Sequence, residues 1–147
     1  MKVLIINGPN MNMLGRREPD IYGPATLQEI NDFLKKKGNE LGMETEFFQS
    51  NHEGDIIDKL HGAEGVFDYI IINPAAYTHY SVAIRDAIKA IGVPVIEVHM
   101  SNVSAREDFR SKSVTAPVCR GQITGFGANS YLLAMYAAKM DMEMRKR

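Results

Sequence analysis

Five short apolar runs rich in β-branched residues, each followed by an amphipathic segment, recur along 147 residues. This alternation predicts an α/β domain of βαβ units around a parallel sheet. A barrel would need about 250 residues. Five units in a chain of this length instead predict a flavodoxin-like doubly wound sheet of five parallel strands, order 2-1-3-4-5, with helices on both faces. Composition agrees: 45% apolar and 24% charged residues are the balance of a globular chain, and 17 Lys+Arg against 18 Asp+Glu leave a net charge of -1. Such a charge offers no basic footprint for nucleic acid. Cys119 is the only cysteine; it excludes an intrachain disulfide and suits a reducing, cytoplasmic compartment. No targeting or membrane-spanning segment is predicted.

Each element has its own signal. Val3 to Ile6 is continuously apolar, as a strand covered on both faces requires. A long loop, about 8–25, follows. Thr26-Leu27-Gln28-Glu29 has the form of a capping box, and Leu27, Ile30, Phe33, Leu34 and Leu41 recur at helical spacing up to Gly42. Thr45 to Gln49 is the second strand, and Ser50-Asn51-His52-Glu53 offers a second capping box before Ile56, Ile57 and Leu60. Asp68 to Asn73 is the third strand, followed by a helix through Val82, Ile84, Ala87, Ile88 and Ile91 that stops at Gly92. Val93 to His99 is the fourth, with Pro94 tolerable near its start. A second long connection, 100–117, holds a short helix around Ala105 to Phe109. Val118 to Thr124 is the fifth strand, and Asn129 caps a last helix whose end, about 140–147, is expected to fray into a flexible tail. With no repeat or linker, residues 1–147 form a single domain, and the loop at 8–25 is long enough to act as a lid.

In doubly wound sheets ligands bind outside the carboxyl ends of the strands, at the switch point of the order. Here those ends carry Asn7 and Asn10, Asn73 with Thr78 and His79, and Glu97, His99, Ser101 and Asn102. Asn, Ser and Thr also gather at strand ends as caps. Two histidines and a glutamate on one rim are harder to explain so. Glu97 and His99, two apart on a strand, leave the same face, where the carboxylate can orient the imidazole. No His-Glu-x-x-His, cysteine cluster, calcium loop, phosphate loop or Gly-x-Gly-x-x-Gly is present. The working class is therefore cofactor-free, metal-free chemistry on a small molecule. The first loop holds Arg16, Arg17 and Tyr22, and is either a solvated basic loop or a lid in which a guanidinium favours the phenolate and binds a carboxylate. His52 and His61 have no chemical role in this reading. Cys119 and the nine methionines are assigned to packing, some of the latter at subunit interfaces.

Four stretches, in order, carry a resemblance: Asn7-Gly8-Pro9-Asn10; Leu14-Gly15-Arg16-Arg17-Glu18-Pro19 with Tyr22-Gly23; Asn73-Pro74-Ala75-Ala76-Tyr77-Thr78-His79; and Ile96-Glu97-Val98-His99-Met100-Ser101-Asn102 with Ala105-Arg106-Glu107 and Phe109-Arg110. Together they resemble type II 3-dehydroquinate dehydratase over essentially the whole chain. Met11, Met13 and Met100 stand where that family often has Leu or Ile, a volume-conserving exchange. The resemblance implies anti elimination of water from 3-dehydroquinate, without metal or cofactor, in shikimate biosynthesis or quinate breakdown. It implies Tyr22 as the base removing a C2 proton with help from Arg17, Asn10 holding a water on the enolate, and His99 as general acid beside Glu97. It implies Asn73, His79, the backbone amides of Met100 and Ser101, and Arg110 as the substrate grip. Asp86 is implied to approach a neighbouring subunit's site, in a homo-dodecamer built from trimers. The alternatives are a non-catalytic flavodoxin-like module binding a flavin, another nucleotide or a small molecule, and a sugar-acid isomerase or hydrolase.

Overall fold

A computed structural model describes residues 1–146. β1 (Lys2–Asn7) is central, pairing in parallel with β2 (Glu44–Gln49) on one side and β3 (Tyr69–Asn73) on the other. β4 (Val95–His99) and β5 (Gly121–Thr124) extend the sheet, giving the order β2-β1-β3-β4-β5. This is the predicted topology. Alternating side chains divide the core. Val3 and Ile5, with Tyr69, Ile71, Ile96 and Val98, pack beneath α2 (Leu27–Glu40) and α5 (Asn129–Arg145). Leu4 and Ile6, with Ile70, Ile72 and Val95, pack beneath α3 (Glu53–His61) and α4 (Val82–Ala90). The buried branched residues of β1 and β3 thus serve both faces, as a covered parallel sheet requires.

The Thr26 capping box is formed: Glu29 N donates to Thr26 Oγ1 and Thr26 N donates to Glu29 Oε2. The box expected at Ser50 is not. His52 stands at the N-cap of α3 without a side-chain cap, while Ser50 Oγ donates to Asp55 and Glu53 accepts from Ser81. Ser81 caps α4 through Ile84 N. Ala128 is the N-cap of α5 and Asn129 its first residue, so Asn129 does not cap it; Ser130 Oγ instead accepts from Phe126 N. β4 begins after Pro94 and β5 only at Gly121, because Ala116–Val118 turns in a 3-10 helix. The connection before it has two 3-10 turns, Val103–Ala105 and Asp108–Arg110, instead of one helix at 105–109. The first loop is likewise partly helical, with a 3-10 turn at Met11–Met13 and one turn, α1, at Pro19–Tyr22.

α5 continues through 140–145, where fraying is expected. There Asp141 accepts from the buried Tyr69 hydroxyl and pairs with Arg120 and Arg145, tying the helix end to the sheet. Met11, Met43, Met100 and Met135 are core residues, whereas Met140 and Met144 are exposed. Cys119 is half-buried; burial, then the Glu97 charge, pushes its thiol up to about 12, which suits a packing role. Among the described residues, no helix is long and apolar enough to cross a membrane.

Candidate active site

The parallel register brings Asn7 level with Asn73, and His99 ends the neighbouring strand. Loops leaving β1, β3 and β4 enclose a cleft of about 580 Å³, part of it open to solvent, above the β1/β3 switch point. Asn10, Arg17 and Tyr22 line it from the first loop, Asn73 and His79 from the second, and His99, Met100, Ser101 and Arg110 from the third. Nine of the expected site residues are therefore brought together. Glu97 lies directly behind His99. Asp86 is exposed on α4 and does not line this cleft. Among the described residues, the non-glycine positions of positive φ are Asn10, Glu18 and Ala75, all in these rim loops, which concentrates backbone strain at the cleft.

Glu97 is fully buried and His99 nearly so. His99 Nε2 and Glu97 Oε1 are 2.6 Å apart, while Thr78 Oγ1 and Thr115 Oγ1 donate to the same carboxylate at 2.5 and 2.6 Å. Burial pushes the Glu97 carboxyl up, but the bonds from His99, Thr115 and Thr78 and the charge of His99 outweigh it and hold the group below the usual carboxylate range. An ionised Glu97 can only accept, so His99 Nε2 donates to it and Nδ1 is the nitrogen through which the ring can act on a ligand. His79 is oriented differently: its Nδ1 donates to the Lys112 carbonyl at 2.7 Å, and its ring meets Phe109 edge-on.

Tyr22 is held by two guanidinium groups. Arg17 lies 5.3 Å from the ring centroid and Arg106 5.5 Å, but it is Arg106 whose Nη1 donates to the phenolic oxygen, at 2.9 Å. Arg17 is instead ion-paired with Glu18 at 3.4 Å. Arg106 carried no assigned role in the sequence. The available signal was an arginine in the connection after β4, opposite a lid that supplies the tyrosine. The cleft is lined by Arg17, Arg106 and Arg110 and by no carboxylate, so its field suits an anionic, carboxylate-bearing ligand. Among the described residues, no group of three or more His, Cys, Asp or Glu is placed to hold a metal ion.

Fold and cleft define a class: a flavodoxin-like α/β protein whose strand-end rim brings a guanidinium-held phenol and a carboxylate-held imidazole into one arginine-lined cleft suited to a small acid. Comparison with known proteins narrows it. Residues 1–139 match the family model described as Dehydroquinase class II. A protein of Caldicellulosiruptor bescii named 3-dehydroquinate dehydratase is 62% identical over 94% of this chain and 96% of its own length. One of Clostridium perfringens with the same name is 53% identical over 99% of this chain and 100% of its own. Among solved structures, a type II dehydroquinase of Butyrivibrio crossotus superposes with a TM-score of 0.92 at 49% identity, covering 94% of this chain and 97% of that one. A 3-dehydroquinate dehydratase-like protein of Bifidobacterium longum gives 0.74 at 32% identity, covering 97% and 98%. The chain belongs to the class II dehydroquinase family, and it is an enzyme; the non-catalytic module is set aside.

Proposed function

We propose that this enzyme dehydrates 3-dehydroquinate to 3-dehydroshikimate by anti elimination through an enolate. The observation that carries the reading is that the Arg106-bound Tyr22 phenol and the Glu97-bound His99 imidazole line one cleft. The naming of the relatives supports the substrate. Tyr22, as phenolate, takes the C2 proton beside the ketone; Arg106, through its hydrogen bond, and Arg17, above the ring, stabilise the phenolate. A fixed donor on the resulting oxyanion is worth several kcal/mol, and Asn10 at the mouth of the lid holds the water that provides it. His99 then protonates the departing hydroxyl from Nδ1, with Glu97 balancing the imidazolium, a contribution of typically 10²–10⁴-fold. One C–H and one C–O bond break, one C=C forms and water leaves, so the step is redox-neutral. Asn73, His79, the amides of Met100 and Ser101, and Arg110 hold the substrate's hydroxyls and carboxylate. Asp86 reaches a neighbouring subunit's site within a dodecamer of trimers. The reaction serves shikimate biosynthesis or quinate breakdown in the cytoplasm.

The test is the ultraviolet absorbance of the conjugated enone after mixing the enzyme with 3-dehydroquinate in EDTA. We expect the absorbance to appear, and its absence overturns the reading.

A further inference from the structure

We propose that Tyr131 is a positioning residue for the cleft, fixing from behind the sheet the side-chain amide of Asn73 and, through it, the turn that carries His79. The inference rests on the reading of this cleft as the substrate site. Tyr131 projects from α5, is 1% exposed and does not line the cleft. The bonding around it has one consistent sense. The Ala75 N–H can only donate, and it faces Asn73 Oδ1 at 3.1 Å. Asn73 Nδ2 is thereby turned to the Tyr131 oxygen, 2.9 Å away. A phenol has a single proton, so that of Tyr131 goes to Asn7 Oδ1, at 2.5 Å. Asn7, Tyr131 and Asn73 thus form a buried chain whose direction sets the rotamer of a cleft residue. Its other Nδ2 contact is the sulfur of Met11 at 3.7 Å, a weak acceptor that a substrate hydroxyl can displace.

The chain also reaches further along the rim. Ala75 is held at φ 53°, in the left-handed region, and opens the turn Ala75–His79. That turn delivers His79 to the cleft and Thr78 to Glu97. Releasing the Asn73 amide therefore loosens a strained turn on which both depend. Burial pushes the Tyr131 phenol far above the ordinary tyrosine range, against the opposing hydrogen bond from Asn73. The ordering proton is therefore retained at any working pH.

The test is Tyr131→Phe in the full chain, read by steady-state kinetics on 3-dehydroquinate and by hydrogen exchange at the Ala75 amide. The variant loses both bonds of the Tyr131 hydroxyl, and the loss of the one that holds Asn73 predicts KM raised about tenfold, kcat within about threefold, and Ala75 exchange accelerated about tenfold. Tyr69→Phe is the control. It also removes one hydroxyl from a fully buried tyrosine, here bonded to Asp141, and should lower stability while leaving KM within about twofold, which separates positioning from packing. In the Asn73→Ala background, Tyr131→Phe should raise KM no further. Should Tyr131→Phe not fold, Asn7→Ala, which removes the proton's acceptor, carries the same expectations. An unchanged KM in Tyr131→Phe, or KM effects that multiply in the double variant, overturns the inference. If the wild-type enzyme shows no turnover, the proposed function fails instead, and Ala75 exchange unaltered by Tyr131→Phe still overturns this one.

Discussion

Glu97→Gln keeps the shape of a buried side chain and removes its charge, so it measures what ionisation of Glu97 contributes. Three short bonds end on this carboxylate, from Thr78, Thr115 and His99, with Ser113 and Gln122 further away at 3.2 Å. A bond to an ionised acceptor contributes about 1.5–3 kcal/mol, against about 1 kcal/mol for a neutral pair. Converting three of them loses roughly 3 kcal/mol, before allowing for the desolvation penalty that an amide escapes. The sign of the balance is fixed by the carboxyl itself, because its bonds outweigh burial and favour the charged form. We expect a net loss of about 1–2 kcal/mol, and a Tm lower by about 2–8 °C for a chain of this size.

Urea unfolding at a series of pH values is the assay. A carboxyl whose folded pKa is depressed stabilises the fold above its unfolded pKa, about 4.3 for glutamate, and loses that stabilisation as pH falls through the folded value. The gap between wild type and Glu97→Gln should be full at pH 6 to 7 and close progressively below about pH 4.3. A gap of the same size at pH 7 and pH 3.5 would refute the reasoning, because it would mean that the charge stabilises nothing.

Tyr22→Phe should lower kcat by at least the 10²–10⁴-fold typical of a lost general base while substrate still protects the protein against thermal unfolding; near-normal kcat would show that the base is misassigned. Arg106→Ala removes the charged donor to the Tyr22 oxygen, and kcat should fall by about 10–150-fold, the equivalent of 1.5–3 kcal/mol, with Tm little changed; wild-type kcat would place the effective guanidinium on Arg17. In Gly8→Ala the new Cβ meets Pro74 O at 2.6 Å and Pro74 C at 2.8 Å, backbone atoms that cannot swing aside, so the β1 and β3 loops separate at a cost of about 1–3 kcal/mol. An unchanged urea midpoint would contradict that contact. Thr26→Ala removes one half of the α2 capping box and should cost about 1 kcal/mol in the same assay.

Where sequence reading succeeded and where it failed divides along one physical line: the range over which each interaction is decided. The Thr26 box is legible because both partners lie within one helical turn. The Ser50 box has the same letters and fails because Asp55 takes the serine hydroxyl while Ser81, from the adjacent helix, takes Glu53. Asn129 fails similarly, one residue inside a helix whose first turn is secured by Ser130. The rim itself was legible, since parallel topology alone brings the ends of β1, β3 and β4 together, and period-two alternation puts Glu97 beside His99.

Topology does not say which rim groups are consumed by the scaffold and which remain for a ligand. Asn7, Thr78 and Thr115 have polar side chains near the rim, yet Asn7 receives the Tyr131 proton and both threonines end on Glu97. None of the three lines the cleft. Conversely, Arg106 lies 84 residues from Tyr22 in the chain and is joined to it only by the fold. The cleft residues are therefore those whose polar atoms the scaffold has not fully engaged, and the buried groups that engage the rest determine how each of them points. The consequence is that mutational sensitivity should extend one layer behind the cleft, to Tyr131, Thr78 and Thr115, and should fall off sharply at Tyr69, a residue as buried as Tyr131 whose hydroxyl belongs to a network at the far end of α5.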